Sequence, residues 1–172
     1  MKYTSAEANK LLREKNDMLR QNEKKEDLSS EFIVSLGEDP ESVRPEYDYA
    51  AAQREMNRLA EEIRKIKHAI NLFNATTVVP DFDMTIDEML VYIPQLTAAK
   101  AKYEQMSSRL PKQRRDEGRY GRFSSSNLVE YIYANYNIAE AEEDYQKISR
   151  TLAKAQTALD VVNNTVQFEI EL

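Results

Sequence analysis

The chain has 172 residues, 31% of them charged and 41% hydrophobic, and this length suffices for a domain with its own core. The net charge of −6 disfavours a protein that coats nucleic acid, and the lack of cysteine excludes disulfides and zinc–thiolate sites. A single histidine leaves few possible metal or acid–base sites. No apolar run approaches the ~20 residues that span a bilayer, and the N-terminus carries no apolar secretion signal. We therefore expect a cytoplasmic protein that is not an enzyme, with no catalytic residue, cofactor, metal or membrane partner.

The first predicted helix covers residues 5–36. Thr4 and Glu7 fit a capping box, in which a hydroxyl and a carboxylate satisfy the first turn of a helix. Apolar residues at helical spacing lie on both sides of a polar stretch at residues 20–27. Gly37 is suited to end the helix because glycine readily adopts the left-handed conformation. An acidic turn follows, so we expect the first two helices to run antiparallel.

The second predicted helix, residues 47–73, has the most regular pattern in the chain. Its apolar residues alternate steps of four and three, which keeps one stripe facing a partner helix. This heptad seam consists of Ala52, Met56, Leu59, Ile63, Ile66, Ile70 and Phe73.

The third predicted helix covers residues 86–110. Thr85 and Glu88 fit a second capping box. Pro94 lies inside the helix, and an interior proline removes a backbone hydrogen bond and clashes with the preceding turn. We expect a bend at Pro94 or a helix that begins only there.

The fourth predicted helix covers residues 138–163, and Asn137 with Glu140 resembles a capping pair. A second heptad seam runs along it, formed by Ile138, Ala141, Tyr145, Ile148, Leu152, Ala155, Leu159 and Val162. Short strands are predicted near residues 128–135 and 166–171, where β-branched and aromatic residues are frequent.

The predicted fold is mainly all-α. Four long antiparallel helices form a single domain, residues 1–172, as a four-helix, coiled-coil-like bundle with a small β element at one end. The strand at 166–171 is expected to pair with the 128–136 segment or with residues 77–79.

A basic loop at residues 112–123 is the candidate binding site, because cations neutralise phosphates and aromatic rings stack on bases. Its candidate partner-binding residues are Lys112, Arg114, Arg115, Arg119, Tyr120 and Arg122. A solvated loop explains the same composition, and so does a contact with an acidic partner protein. For a polar ligand pocket between helices, the candidates are the amides of Asn71, Asn74, Asn163 and Asn164.

Several motifs in a fixed order resemble a known family. They are GEDPES after the first helix, EYD before the second, INLFNATT at 70–77, TIDE at 85–88, RYGR at 119–122 and the ending LDVVNNT…FEIEL. The chain resembles small bacterial coiled-coil proteins of unknown function, some of whose members are labelled septicolysin. This resemblance implies a helical fold with a small β element and self-association, and it implies no established activity.

The leading hypothesis is therefore a structural or interaction protein that forms homo-oligomers through its heptad seams. The alternative is a nucleic-acid-associated protein that uses the basic loop at residues 112–123. That alternative conflicts with the acidic balance of the whole chain.

Overall fold

The computed structural model describes residues 1–115 and 129–172, and this part of the chain is mainly helical. The helices are α1 (Ser5–Ser29), α2 (Pro40–Val43), α3 (Tyr49–Thr76), α4 (Ile86–Ser107) and α5 (Ile138–Thr165). The strands are β1 (Lys2–Thr4), β2 (Val78–Val79), β3 (Met84–Thr85), β4 (Lys112–Arg114), β5 (Tyr131–Tyr133) and β6 (Gln167–Glu169). Two compact units are formed, one by Met1–Asp87 with Leu159–Leu172 and the other by Glu88–Ala158.

An antiparallel hairpin of α1 and α3 forms the centre of the first unit. Near the start of α1, Ala8 packs with Ile66 and Ile70 of α3 in one buried cluster. Further along α1, the ammonium of Lys15 lies 2.8 Å from a carboxylate oxygen of Glu62. These contacts confirm the predicted antiparallel course of the first two helices.

The heptad seam of α3 is covered within the chain along most of its length. Five of its positions are buried, namely Leu59, Ile63, Ile66, Ile70 and Phe73. Ala52 and Met56, nearer the start of the helix, are half-buried. The regular pattern in the sequence therefore corresponds to a contact inside one chain.

A two-stranded antiparallel sheet joins the two termini of the described chain. β1 pairs with β6, and the backbones of Met1 and Ile170 exchange hydrogen bonds of 3.0 and 2.9 Å. The expected pairing of the last strand with residues 128–136 or 77–79 is therefore wrong. The strand lies against α1 and α3 instead because Phe168 and Ile170 pack onto the cluster that contains Ala8.

The prediction that the first helix reaches residue 36 is wrong, because α1 ends at Ser29. The N–H of Ser30 still bonds to the carbonyl of Glu26, and regular structure then stops. Ile33 and Leu36 are exposed, so burial does not stabilise a helical continuation. Gly37 does have a positive φ of 90°, but it lies in a turn closed by Ser35 and Glu38 rather than at the end of the helix.

Two further expectations need correction in the second half of the chain. α4 begins at Ile86 and continues through Pro94, so the delayed start is wrong, and it ends at Ser107 rather than at residue 110. The basic region begins as strand β4, which pairs with β5 in a small antiparallel sheet. Cross-strand pairing with the tyrosines of β5 accounts for this strand, since the basic sequence itself has no strand pattern.

Candidate interaction surfaces

The predicted basic site is described only in part. Lys112 and Arg114 lie on β4, and Arg115 follows directly. Arg119, Tyr120 and Arg122 fall within residues 116–128, outside the described residues.

Cations and tyrosines share one face of the β4–β5 sheet. Lys112 lies opposite Tyr133 and Arg114 opposite Tyr131, so all four side chains project to the same side. The ammonium of Lys112 lies 4.1 Å from the ring centre of Tyr131 and 5.4 Å from that of Tyr133. We call these four residues the basic–aromatic face. All four are exposed.

Arg115 is held in an ion pair. Its guanidinium lies 2.7 Å from the carboxylate of Glu130, and its backbone N–H donates to the carbonyl of Glu130 at 2.9 Å. The Glu130 carboxylate balances the Arg115 charge, so Lys112 and Arg114 are the cations that this face presents to a ligand.

A second surface, which sequence reasoning assigned to a helix, is residues 28–36. We call this stretch the apolar segment. Ile33 is 94% exposed, Leu36 is fully exposed and Leu28 is also exposed. Phe32 is covered in part by Arg44, whose guanidinium lies 5.7 Å from the ring centre. Clustered exposure of large apolar side chains is typical of interaction surfaces.

The stretch that follows the apolar segment is hydrogen-bonded to Glu26 of α1. Tyr47 donates a hydrogen bond from its hydroxyl to this carboxylate, and the amide of Gln53 donates to it at 2.7 Å. The bond to the Glu26 carboxylate raises the pKa of Tyr47 to about 12. The base of the segment is thus fixed by polar contacts, while the apolar side chains beyond it stay exposed.

A third surface is an open groove of about 770 Å³ in the first unit. It is lined by Lys65, His68, Ala69, Leu72, Phe73, Thr76, Phe168, Glu169, Glu171 and Leu172. The rings of Phe73 and Phe168 stack within it, with centres 4.4 Å apart. The single histidine of the chain, His68, lies in this groove. The sequence identifies no catalytic or metal-binding partner for it. No sequence signal identifies the groove, because it exists only once β6 lies beside α3.

The predicted asparagine pocket is not reproduced in the groove, since none of the four amides lines it. Asn164 donates instead to the carbonyl of Asp160 at 2.7 Å, a bond within its own helix. Among residues 1–115 and 129–172, no group of three or more histidine or acidic side chains is arranged to hold a metal ion. Over the same ranges, every helix is too short or too polar to cross a bilayer.

Comparison with known proteins identifies one structure of similar fold and provides no information on activity. No model of a protein family matches the chain, and no curated protein matches it in sequence. The chain is similar to the crystal structure of a functionally unknown conserved protein from Corynebacterium diphtheriae, with a TM-score of 0.56 and 16% sequence identity. The similarity covers 98% of this chain and 100% of that one. At this identity the likeness concerns the fold alone.

Proposed function

We propose that this protein is a helical interaction protein that self-associates, and that the apolar segment is the surface on which two copies meet. The exposure of Ile33 and Leu36 carries the proposal. The four-helix, coiled-coil-like arrangement and the kinship with small bacterial coiled-coil proteins belong to the same proposal.

The heptad seams are not the surface we choose for this contact. Most of the α3 seam is buried within the chain. On α5, five seam positions are buried as well: Ala141, Leu152, Ala155, Leu159 and Val162. A seam that is already covered cannot bury further apolar area when two copies associate.

The apolar segment has what an association surface requires. Burying a large aliphatic side chain stabilises a contact by about 1.5–3 kcal/mol, and Leu28, Ile33 and Leu36 are all available for burial. A two-fold contact uses the same patch on both copies, so each side chain contributes twice. Tyr47 and Gln53 fix the base of the segment on α1, which reduces the ordering entropy lost on association.

Light scattering behind size exclusion tests the proposal on the full chain. We expect a discrete multimer for the wild type and a 20.0 kDa monomer for the double variant Ile33→Asp/Leu36→Asp. The matched control, Leu90→Asp/Val91→Asp, changes two exposed aliphatic residues on α4 and should assemble like the wild type. Circular dichroism establishes that each variant is folded. A monomeric wild type, or a multimeric double variant, would contradict the proposal.

The basic–aromatic face favours a second candidate function, contact with single-stranded nucleic acid. Lysine and arginine beside two exposed tyrosines suit a backbone phosphate next to stacked bases. We rank it second because Lys112 already covers the ring of Tyr131 and the whole chain is acidic.

Fluorescence anisotropy with a labelled oligouridylate tests this second candidate at low and high salt. Binding should weaken as salt rises, and Lys112→Gln/Arg114→Gln should abolish it. A control double variant, Lys24→Gln/Lys25→Gln, changes two lysines on α1 and should bind like the wild type. Absence of binding by the wild type even at low salt would remove this function.

A further inference from the structure

The sheet of β1 and β6 has one open edge. In the described part of the chain, β6 pairs with β1 alone. Because Met1 and Ile170 exchange both backbone hydrogen bonds, the alternation of an antiparallel ladder makes Tyr3 and Phe168 the next bonded pair. The backbone N–H and C=O groups of Glu169, between these pairs, therefore point away from β1.

The open groove lies along that edge. All its lining residues come from α3 or from residues 168–172, while β1 occupies the other side of β6. Phe73 and Phe168 form its apolar base, and Leu72, which is 57% exposed, stands on one wall. An extended chain lying along β6 would thus meet unpaired backbone groups and an apolar pocket together.

The charges at the edge indicate what kind of chain fits. Glu169 and Glu171 are exposed, and among the described residues neither takes part in an ion pair. Lys65, on the opposite wall, is compensated by Glu61 at 3.0 Å. A second copy of β6 paired about Glu169 would place glutamate opposite glutamate, which destabilises a strand pair. The edge therefore favours a basic strand over another copy of this chain.

We propose that the groove binds an extended basic segment of a partner protein, which adds to β6 as an antiparallel third strand. The partner residue opposite Phe168 inserts an apolar side chain beside Leu72 and Phe73. The partner residues opposite Glu169 and Glu171, one and three positions away along the partner strand, are lysine or arginine. Backbone hydrogen bonds give such strand addition its affinity, and the pocket together with the alternating charges gives its specificity.

A short labelled peptide of alternating lysine and leucine is the probe, and its binding to the full-length chain is followed by fluorescence anisotropy. In the proposed register the lysine amides of the peptide face β6 and the leucine amides face away. N-methylation of the lysine amides should abolish binding, whereas N-methylation of the leucine amides should leave it intact. Equal binding by the two methylated peptides, or loss only on methylation of the leucine amides, would overturn the proposal.

Protein variants locate the site independently. Leu72→Glu should weaken peptide binding by about tenfold or more, because it places a charge in the apolar pocket. Leu90→Glu, a matched change at an exposed leucine of α4, should bind like the wild type. Wild-type affinity in a folded Leu72→Glu variant would place the peptide elsewhere and overturn the proposal. The inference is independent of self-association, so Ile33→Asp/Leu36→Asp should bind the peptide normally.

Discussion

The two ends of the α1–α3 hairpin carry similar aliphatic residues in opposite surroundings. At the end closed by β1 and β6, Ile66 is fully buried and Ile170 nearly so. At the other end, Ile33 and Leu36 lie in the open. The closed end is covered by a second layer of the chain itself, and at the open end the described chain provides no such layer. The comparison teaches that similar aliphatic residues are buried at one end of the hairpin and exposed at the other, and that hydrophobic character alone does not distinguish the two ends.

The largest expected effect contrasts the two ends directly. Ile66→Ala should lower the free energy of unfolding by about 2–5 kcal/mol, because it leaves a cavity in the closed end. Ile33→Ala should change the unfolding of the dilute monomer by less than about 0.5 kcal/mol. Urea titrations at low protein concentration measure both. Equal losses of unfolding free energy in the two variants would contradict the proposed difference between the two ends of the hairpin.

A smaller effect is expected from the ion pair in the middle of the hairpin. The side chains of Lys15 and Glu62 are only 18% and 15% exposed, so Lys15→Met should cost about 1.5–3 kcal/mol by removing a cation from this part-buried carboxylate, which then keeps its ion pair with Arg58. The control is Lys65→Met. Because Lys65 and its partner Glu61 are both exposed, this substitution should lower the free energy of unfolding by less than about 0.5 kcal/mol. Thermal or urea unfolding distinguishes the two. A Lys15→Met variant as stable as Lys65→Met would show that the Lys15–Glu62 pair contributes little to the stability of the hairpin.

The same ion pair should make stability depend on pH. The ion pair with Lys15, together with the nearby guanidinium of Arg58, holds the pKa of Glu62 below its ordinary value of 4.5. The contribution of the ionised Glu62 carboxylate to the free energy of unfolding is fully present above pH 4.5. It is lost as the pH falls through the lowered pKa of the folded state. Unfolding free energies measured from pH 6 downward should therefore decline more steeply in the wild type than in Lys15→Met. Parallel curves would count against the assigned cause of the shift.

The smallest effect concerns the start of α1, where the closed end begins. The N–H of Glu7 donates to the hydroxyl of Thr4 at 3.3 Å, and the N–H of Thr4 donates to the carboxylate of Glu7 at 2.8 Å. Thr4→Ala should cost about 1 kcal/mol, and Thr4→Ser should recover most of it. Urea unfolding checks both variants. A serine variant no more stable than the alanine variant would indicate that the methyl group, not the cap, matters.

Local signals in the sequence predicted much of the helical structure. The capping box of Thr4 and Glu7 is present in full. Asn137 accepts from the N–H of Ala139 and donates to Glu140, as expected at the start of a helix. Such features depend on residues within one turn of each other, and their geometry is therefore encoded locally.

Features that depend on distant contacts were not predictable in the same way. β1 has only three residues and becomes a strand by pairing with β6 at the far end of the sequence. The spacing of Phe32, Ile33 and Leu36 suits a helix, yet α1 stops before them because no buried face extends that far. The groove beside β6 and the position of Lys112 over the ring of Tyr131 also follow from strand pairing. Periodicity identifies an apolar face but not what covers it.

Distance measurement between spin labels on two copies tests the central claim most directly. The chain has no cysteine, so Glu31→Cys gives one labelling site in the apolar segment. With self-association through this segment, double electron–electron resonance should detect one defined distance between labels on different copies, and Ile33→Asp should abolish it. A signal from isolated labels only, or a defined distance that survives in Ile33→Asp, would contradict the account.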